Sequence, residues 1–139
     1  MKKTKKRVWI FSSIITGSLL LLIYLFAPYF VVNNLTEKYG AEFAELYSEN
    51  GFYNDIEYLK IIQYRNEKVN FYYLDNDKVK NELSDLDHNY AVVLYVEENH
   101  SSASLFIFGD ENGQWKFVNW NLIWSVSGTA DGFMWPYYF

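Results

Sequence analysis

The sequence predicts an α+β fold: a single N-terminal transmembrane helix, then a small antiparallel-sheet domain with helices on one face. Three observations lead there. Val8 to Val32 is a run of twenty-five positions without a charge, preceded at once by Lys2, Lys3, Lys5, Lys6 and Arg7. Leu35 to Asn50 carries apolar side chains at helical spacing. From Tyr90 onward, apolar runs alternate with turn residues in the manner of strands.

The first element has the dimensions of a bilayer. The hydrocarbon core is about 30 Å thick, so about twenty helical residues at about 1.5 Å each cross it. Val8 to Ala27 supplies that length, and twelve of its positions are Leu, Ile, Val or Phe. Each of these contributes roughly −0.3 to −0.6 kcal/mol at a helix centre. Ser12, Ser13, Thr16 and Ser18 are the polar exceptions, and their hydroxyls can bond back to helix carbonyls. Trp9 at one end, and Tyr29 with Phe30 at the other, fall at headgroup level. Pro28 lies at the far edge, where a lost helix hydrogen bond costs least.

A cleaved signal peptide also begins with basic residues and an apolar middle. No small-x-small pair surrounds Ala27-Pro28-Tyr29-Phe30, and the apolar run exceeds a typical signal-peptide core, so an uncleaved signal anchor is expected. Five of the twelve Lys and Arg residues precede Val8, whereas all seventeen Asp and Glu residues follow it. The tail is therefore +5 and the remainder −10. Because basic segments stay cytoplasmic, the N-terminus belongs inside and the acidic part outside, in the cell membrane. The tail favours anionic lipid, and a seven-residue arm without a folded basic domain argues against nucleic acid as a partner. The organisation is thus a basic cytoplasmic tail over 1–7, an anchor over 8–32, and an extracytoplasmic domain over 33–139.

That outer part has the size of one domain and contains no cysteine, so its stability must come from a buried core alone. With 13 Tyr, 11 Phe and 5 Trp, mostly in this part, the expected core is packed with rings. Leu35, Tyr39, Phe43, Leu46 and Tyr47 share a helix face, and Asn50-Gly51 supplies a stop. Ile56 to Arg65 and Val69 to Leu74 have strand composition, linked by Asn66-Glu67-Lys68. Asp75-Asn76-Asp77 caps a short helix through Leu86, on which Val79, Leu83 and Leu86 share a face. Tyr90 to Val96 is an unbroken apolar run, as in a central strand, and Ala103 to Phe108 is another. Asp110-Glu111-Asn112-Gly113 has hairpin-turn chemistry, and Gln114 to Trp120 is the return strand. Val118, Trp120, Leu122, Trp124 and Val126 continue one alternation, with a bulge expected near Asn119 to Asn121. Asp131-Gly132 marks a turn before an aromatic tail over Phe133 to Phe139. The build is similar to that of cystatin-like, cone-shaped folds in architecture alone, which implies no activity.

Chemical motifs are sparse. Asp75-Asn76-Asp77 begins like a calcium loop, but Lys80 stands where glycine is needed and Leu86 where glutamate is needed. Asp85, Asp87 and His88 form an acid-imidazole group without a second ligand pair, so no metal or other cofactor is expected. His100 beside Ser101 and Ser102 lacks the strained elbow that presents a nucleophile. Phosphate-cradling glycine loops are absent from the sequence. Asn34-Leu35-Thr36 and Asn99-His100-Ser101 match the glycosylation triplet. The richest segment is the end of the chain, where Trp120, Trp124, Trp135, Tyr137 and Tyr138 form the candidate binding surface.

These features rank three classes of function. The first is a membrane-anchored extracytoplasmic interaction or regulatory module, such as an accessory subunit of a membrane complex, partnered by lipid and a membrane or cell-surface protein. The second is an anchored binder of a glycan or small ligand through exposed aromatic rings. A hydrolase using Asp85, Asp87, His88 or His100 ranks last, and an enzyme is not expected.

Overall fold

The computed structural model describes residues 2–50, 55–68, 77–87, 89–98 and 102–125, and for residues 2, 78, 79, 82 and 124 the backbone alone. The predicted strand Val69 to Leu74, the cap residues Asp75 and Asn76, both histidines, the second glycosylation triplet and the aromatic tail lie outside these residues.

The first element is α1 (Lys2–Glu49), 48 residues of unbroken helix and about 70 Å long at the standard rise. The sequence reading ends the anchor at Val32 and begins a second helix at Leu35, with Asn33-Asn34 between them. Both asparagines are helical and exposed, so the apolar rod and the domain's first helix are one element. Asparagine has weak helix propensity, but the residues it separates hold the helix: Val32 and Leu35, on either side, are fully buried. The stop falls where expected, with the Asn50 side-chain amide donating to the Leu46 carbonyl at 2.7 Å. Within the rod the Thr16 hydroxyl donates back to the Ser12 carbonyl at 2.9 Å, which satisfies it without a neighbour.

The remaining elements are β1 (Ile56–Tyr64), β2 (Glu67–Lys68), α2 (Asp77–Ser84), β3 (Tyr90–Glu97), β4 (Ser102–Glu111) and β5 (Gln114–Ser125). Among the described residues the strands form one antiparallel sheet in the order β2-β1-β3-β4-β5. Arg65 ends β1 by taking a left-handed φ of 55°. The hairpin between β4 and β5 turns on Asn112 (φ 56°) and Gly113 (φ 84°), the left-handed pair that an Asn-Gly turn requires.

β3 is buried along almost its whole length, so both of its faces must be covered. Val92, Leu94 and Val96 join Ile62, Leu105, Ile107 and Ile123 on one face, where Leu83 of α2 packs. Ala91, Val93 and Tyr95 join Ile61, Phe106 and Phe108 on the other, with Phe43 and Tyr47 of α1. The helices therefore lie on opposite faces of the sheet and not on one, because a central strand apolar on both sides leaves two layers to fill. Helix α1 is wedged at the β1 edge: Ile61 N–H donates to the Thr36 hydroxyl at 2.9 Å, and Val32 and Leu35 enter different clusters.

Two bulges shape β5. Phe108 faces Phe117 and Ile107 faces Asn119, leaving Val118 as the extra residue; a second shift leaves Ile123 extra. The first bulge moves the expected alternation. Val118 lies on the side of Leu86 and Gly109, whereas the Trp120 ring meets Phe106 on the opposite face. The rings of Trp115, Phe117 and Trp120 consequently line up on the face that α1 covers.

Candidate functional site

That face is built almost entirely of rings. Tyr39 of α1 stacks on Tyr64 of β1, with centroids 3.7 Å apart and planes 4° from parallel. Phe43 packs against Phe108 (5.4 Å), Trp115 (5.5 Å) and Tyr64 (6.3 Å). Tyr47 meets Tyr95 (4.6 Å) and Phe106 (5.6 Å). Apart from the face-to-face Tyr39–Tyr64 stack, these tilted and edge-on geometries are those that the ring quadrupole favours. The Tyr95 hydroxyl is buried and donates to the Phe43 carbonyl at 2.6 Å, so its polar end is satisfied inside the core.

The cluster reaches the surface at Arg65. Its guanidinium lies 5.5 Å from the Tyr64 ring and 5.6 Å from the Trp115 ring, and bonds Asp110 at 2.7 Å. Asp110 is oriented by the hairpin: its second carboxylate oxygen accepts Gly113 N–H at 2.8 Å, and its own N–H donates to the Asn89 carbonyl at 2.8 Å. The Arg65 backbone N–H donates to Tyr90 at 2.9 Å, and its carbonyl accepts the Gln63 amide at 2.8 Å. A planar cation held over two rings adds roughly 0.5–1 kcal/mol at such an exposed site. On the neighbouring helical turn, Lys38 sits 4.9 Å over the Tyr39 ring. Tyr, Trp and Arg together are the side chains that dominate protein interfaces.

Of the five residues named from the sequence, Trp120 is 48% exposed beside Phe106. The backbone of Trp124 lies in β5, and Trp135, Tyr137 and Tyr138 lie outside the described residues. Asp85 and Asp87 are exposed after α2, while His88 and His100 are likewise outside. No group of three potential metal ligands occurs among the described residues. The sequence reading missed Tyr39, Tyr64, Arg65, Asp110 and Trp115 as a group. Arg65 and Asp110 are 45 positions apart, and only the β1-β3-β4 pairing brings them together.

Burial raises the pKa of the Tyr95 hydroxyl strongly, with a smaller contribution from Tyr47. Burial is also the main cause of the upward shifts at Tyr47, Tyr58 and Tyr64. A raised tyrosine pKa means that the folded domain holds the phenolic proton more tightly than the unfolded chain does. The corresponding stability is intact below about pH 10, the ordinary tyrosine value, and falls as pH rises beyond it. Near-UV circular dichroism should therefore report loss of tertiary structure on raising the pH past that value, with little change between neutrality and it.

One buried group is out of keeping with its surroundings. Asn121, opposite Leu105 and 5% exposed, has no hydrogen-bond acceptor for its side-chain amide nitrogen among the described residues. An unmade hydrogen bond of this kind costs about 1–3 kcal/mol. Asn121→Leu should therefore raise the unfolding free energy by about 1–2 kcal/mol, read from urea denaturation in detergent. A fall in stability would mean that the amide is satisfied in solution.

No protein family, curated protein or solved structure matches this chain.

Proposed function

We propose that this chain is a single-pass membrane protein whose extracytoplasmic domain acts as an interaction or regulatory module, serving as an accessory subunit of a membrane complex. The observation that carries the reading is the burial profile of α1. Its apolar side chains from Val8 to Tyr24 stand in the open, Trp9 at 75%, and so does Phe30 at 74%, whereas Val32, Leu35 and Phe43 on the same helix are fully buried. So much contiguous apolar surface is stable only against lipid or protein, and its length and composition suit a bilayer. The +5 tail favours a cytoplasmic N-terminus, with the domain outside.

A protease added to intact spheroplasts should digest the part after Asn33 and leave a membrane-bound fragment. Full protection of the domain would reverse the orientation. The partner surface in this reading is the aromatic face ending at Trp120. Trp120→Ala should change domain stability by no more than about 0.5 kcal/mol, as for an exposed position, while abolishing partner capture by a photo-crosslinker placed at Ser104, on the same face. Capture that persists in the variant would remove Trp120 from the interface. Binding of a glycan or small ligand is the second reading, favoured by the half-exposed Trp120 ring; it requires ligand-dependent quenching of tryptophan fluorescence that Trp120→Ala removes.

A further inference from the structure

We propose that the membrane anchor and the outer domain form a single rigid lever, so that any tilt or rotation of the helix in the bilayer is carried undiminished into the sheet. The inference rests on α1 being the membrane-spanning element. A protein domain on a membrane anchor ordinarily swivels on a flexible linker; here no linker exists, since α1 is unbroken from Lys2 to Glu49.

Three contacts fix the helix in rotation as well as in position. The Thr36 hydroxyl accepts the Ile61 N–H at 2.9 Å. Tyr39 stacks on Tyr64 at 3.7 Å. The Phe43 carbonyl accepts the buried Tyr95 hydroxyl at 2.6 Å. Because Val32 belongs to the cluster on one sheet face and Leu35 to that on the other, turning α1 about its axis would uncover both. Successive helix residues are about 100° apart, so even a one-residue slip is forbidden by these contacts.

The weak point of such a lever is Pro28, which cannot donate the helix bond to Tyr24. The structure braces that point. The rings of Phe26 and Tyr29, on either side of Pro28, lie 6.0 Å apart, and Tyr29 packs against the domain core. The turn that lacks this bond runs from Tyr24 to Pro28; the Phe26–Tyr29 ring contact spans its end, and the domain grips the helix from the residue immediately after the proline.

The chain has no cysteine, so spin labels can be placed without altering native thiols. The full chain would be reconstituted in lipid nanodiscs with labels at Leu19→Cys and Gln114→Cys, both exposed positions, and a control pair at Glu45→Cys and Gln114→Cys. The anchor-to-domain distance distribution should be a single peak no wider than that of the control. Inserting Gly-Gly-Ser-Gly between Pro28 and Tyr29 should broaden the first distribution and leave the control unchanged. A broad distribution in the native chain, or no broadening on insertion, overturns the lever. Whether the Leu19 label is relaxed by oxygen dissolved in lipid or by a water-soluble agent tests the anchor separately. A lipid-exposed label with a broad distance distribution sinks the lever alone, whereas a water-exposed label sinks the anchor.

Discussion

Phe43→Ala should lower the unfolding free energy of the sheet domain by about 3–5 kcal/mol, the cost of deleting a fully buried phenylalanine. Phe43 has no exposed surface and sits where α1, β1, β4 and β5 meet, touching Tyr64, Phe108 and Trp115. Truncation leaves a void bounded by rings, which are rigid and collapse into gaps poorly. It also loosens the turn of α1 whose carbonyl accepts the Tyr95 hydroxyl. Domains of this size are stable by about 5–15 kcal/mol, so the loss is a large share of the total. Urea unfolding of the full chain in detergent, followed by near-UV circular dichroism, measures it. A loss below about 1 kcal/mol would place Phe43 outside the core, at odds with the cavity cost for such a residue.

The second large effect concerns the rod. Replacing Leu20 and Ile23 together by lysine should release the protein from membranes, since each lysine costs roughly 2.5–3.5 kcal/mol near a bilayer centre. Both positions are more than half exposed and belong to neither core cluster, so the folded sheet should be unaffected. Sedimentation after an alkaline wash is the readout. Because the buried tyrosines destabilise the domain above their ordinary pKa, that wash can unfold the sheet while α1 stays in lipid; retention therefore reports on the anchor alone. Retention of the double variant would mean that residues 8–27 are not what holds the protein to the membrane.

What the sequence disclosed was local. The extent of the apolar rod, the Asn50 stop, the central place of β3 and the Asn112-Gly113 turn each follow from a few consecutive residues. The helix spacing of Phe43 and Tyr47 and of Leu83 and Leu86 likewise identified the faces that pack. What escaped depends on tertiary partners. Asn33-Asn34 reads as a break because asparagine is a weak helix former, yet Val32 and Leu35 on either side are held by different sheet faces. A bulge was expected near Asn119 to Asn121, but the two that form fall at Val118 and Ile123, on either side of it, and the first puts Val118 and Trp120 on different faces. The placement of the two helices on opposite faces followed from β3, whose continuous apolar run already required cover on both sides. The Arg65 platform needed two strand pairings before its two charges met, and a third before Trp115 joined them.

The central claim is that one helix crosses the bilayer and carries the folded sheet outside the cell. A chain without native cysteine permits a direct measurement. Single cysteines at Thr4 and at Gln114 would be challenged with a membrane-impermeant maleimide in intact cells or spheroplasts. The Gln114→Cys variant should label at once, and the Thr4→Cys variant only after permeabilisation. Labelling at Thr4 but not at Gln114 in sealed cells would contradict the orientation, and immediate labelling at both would contradict the crossing itself.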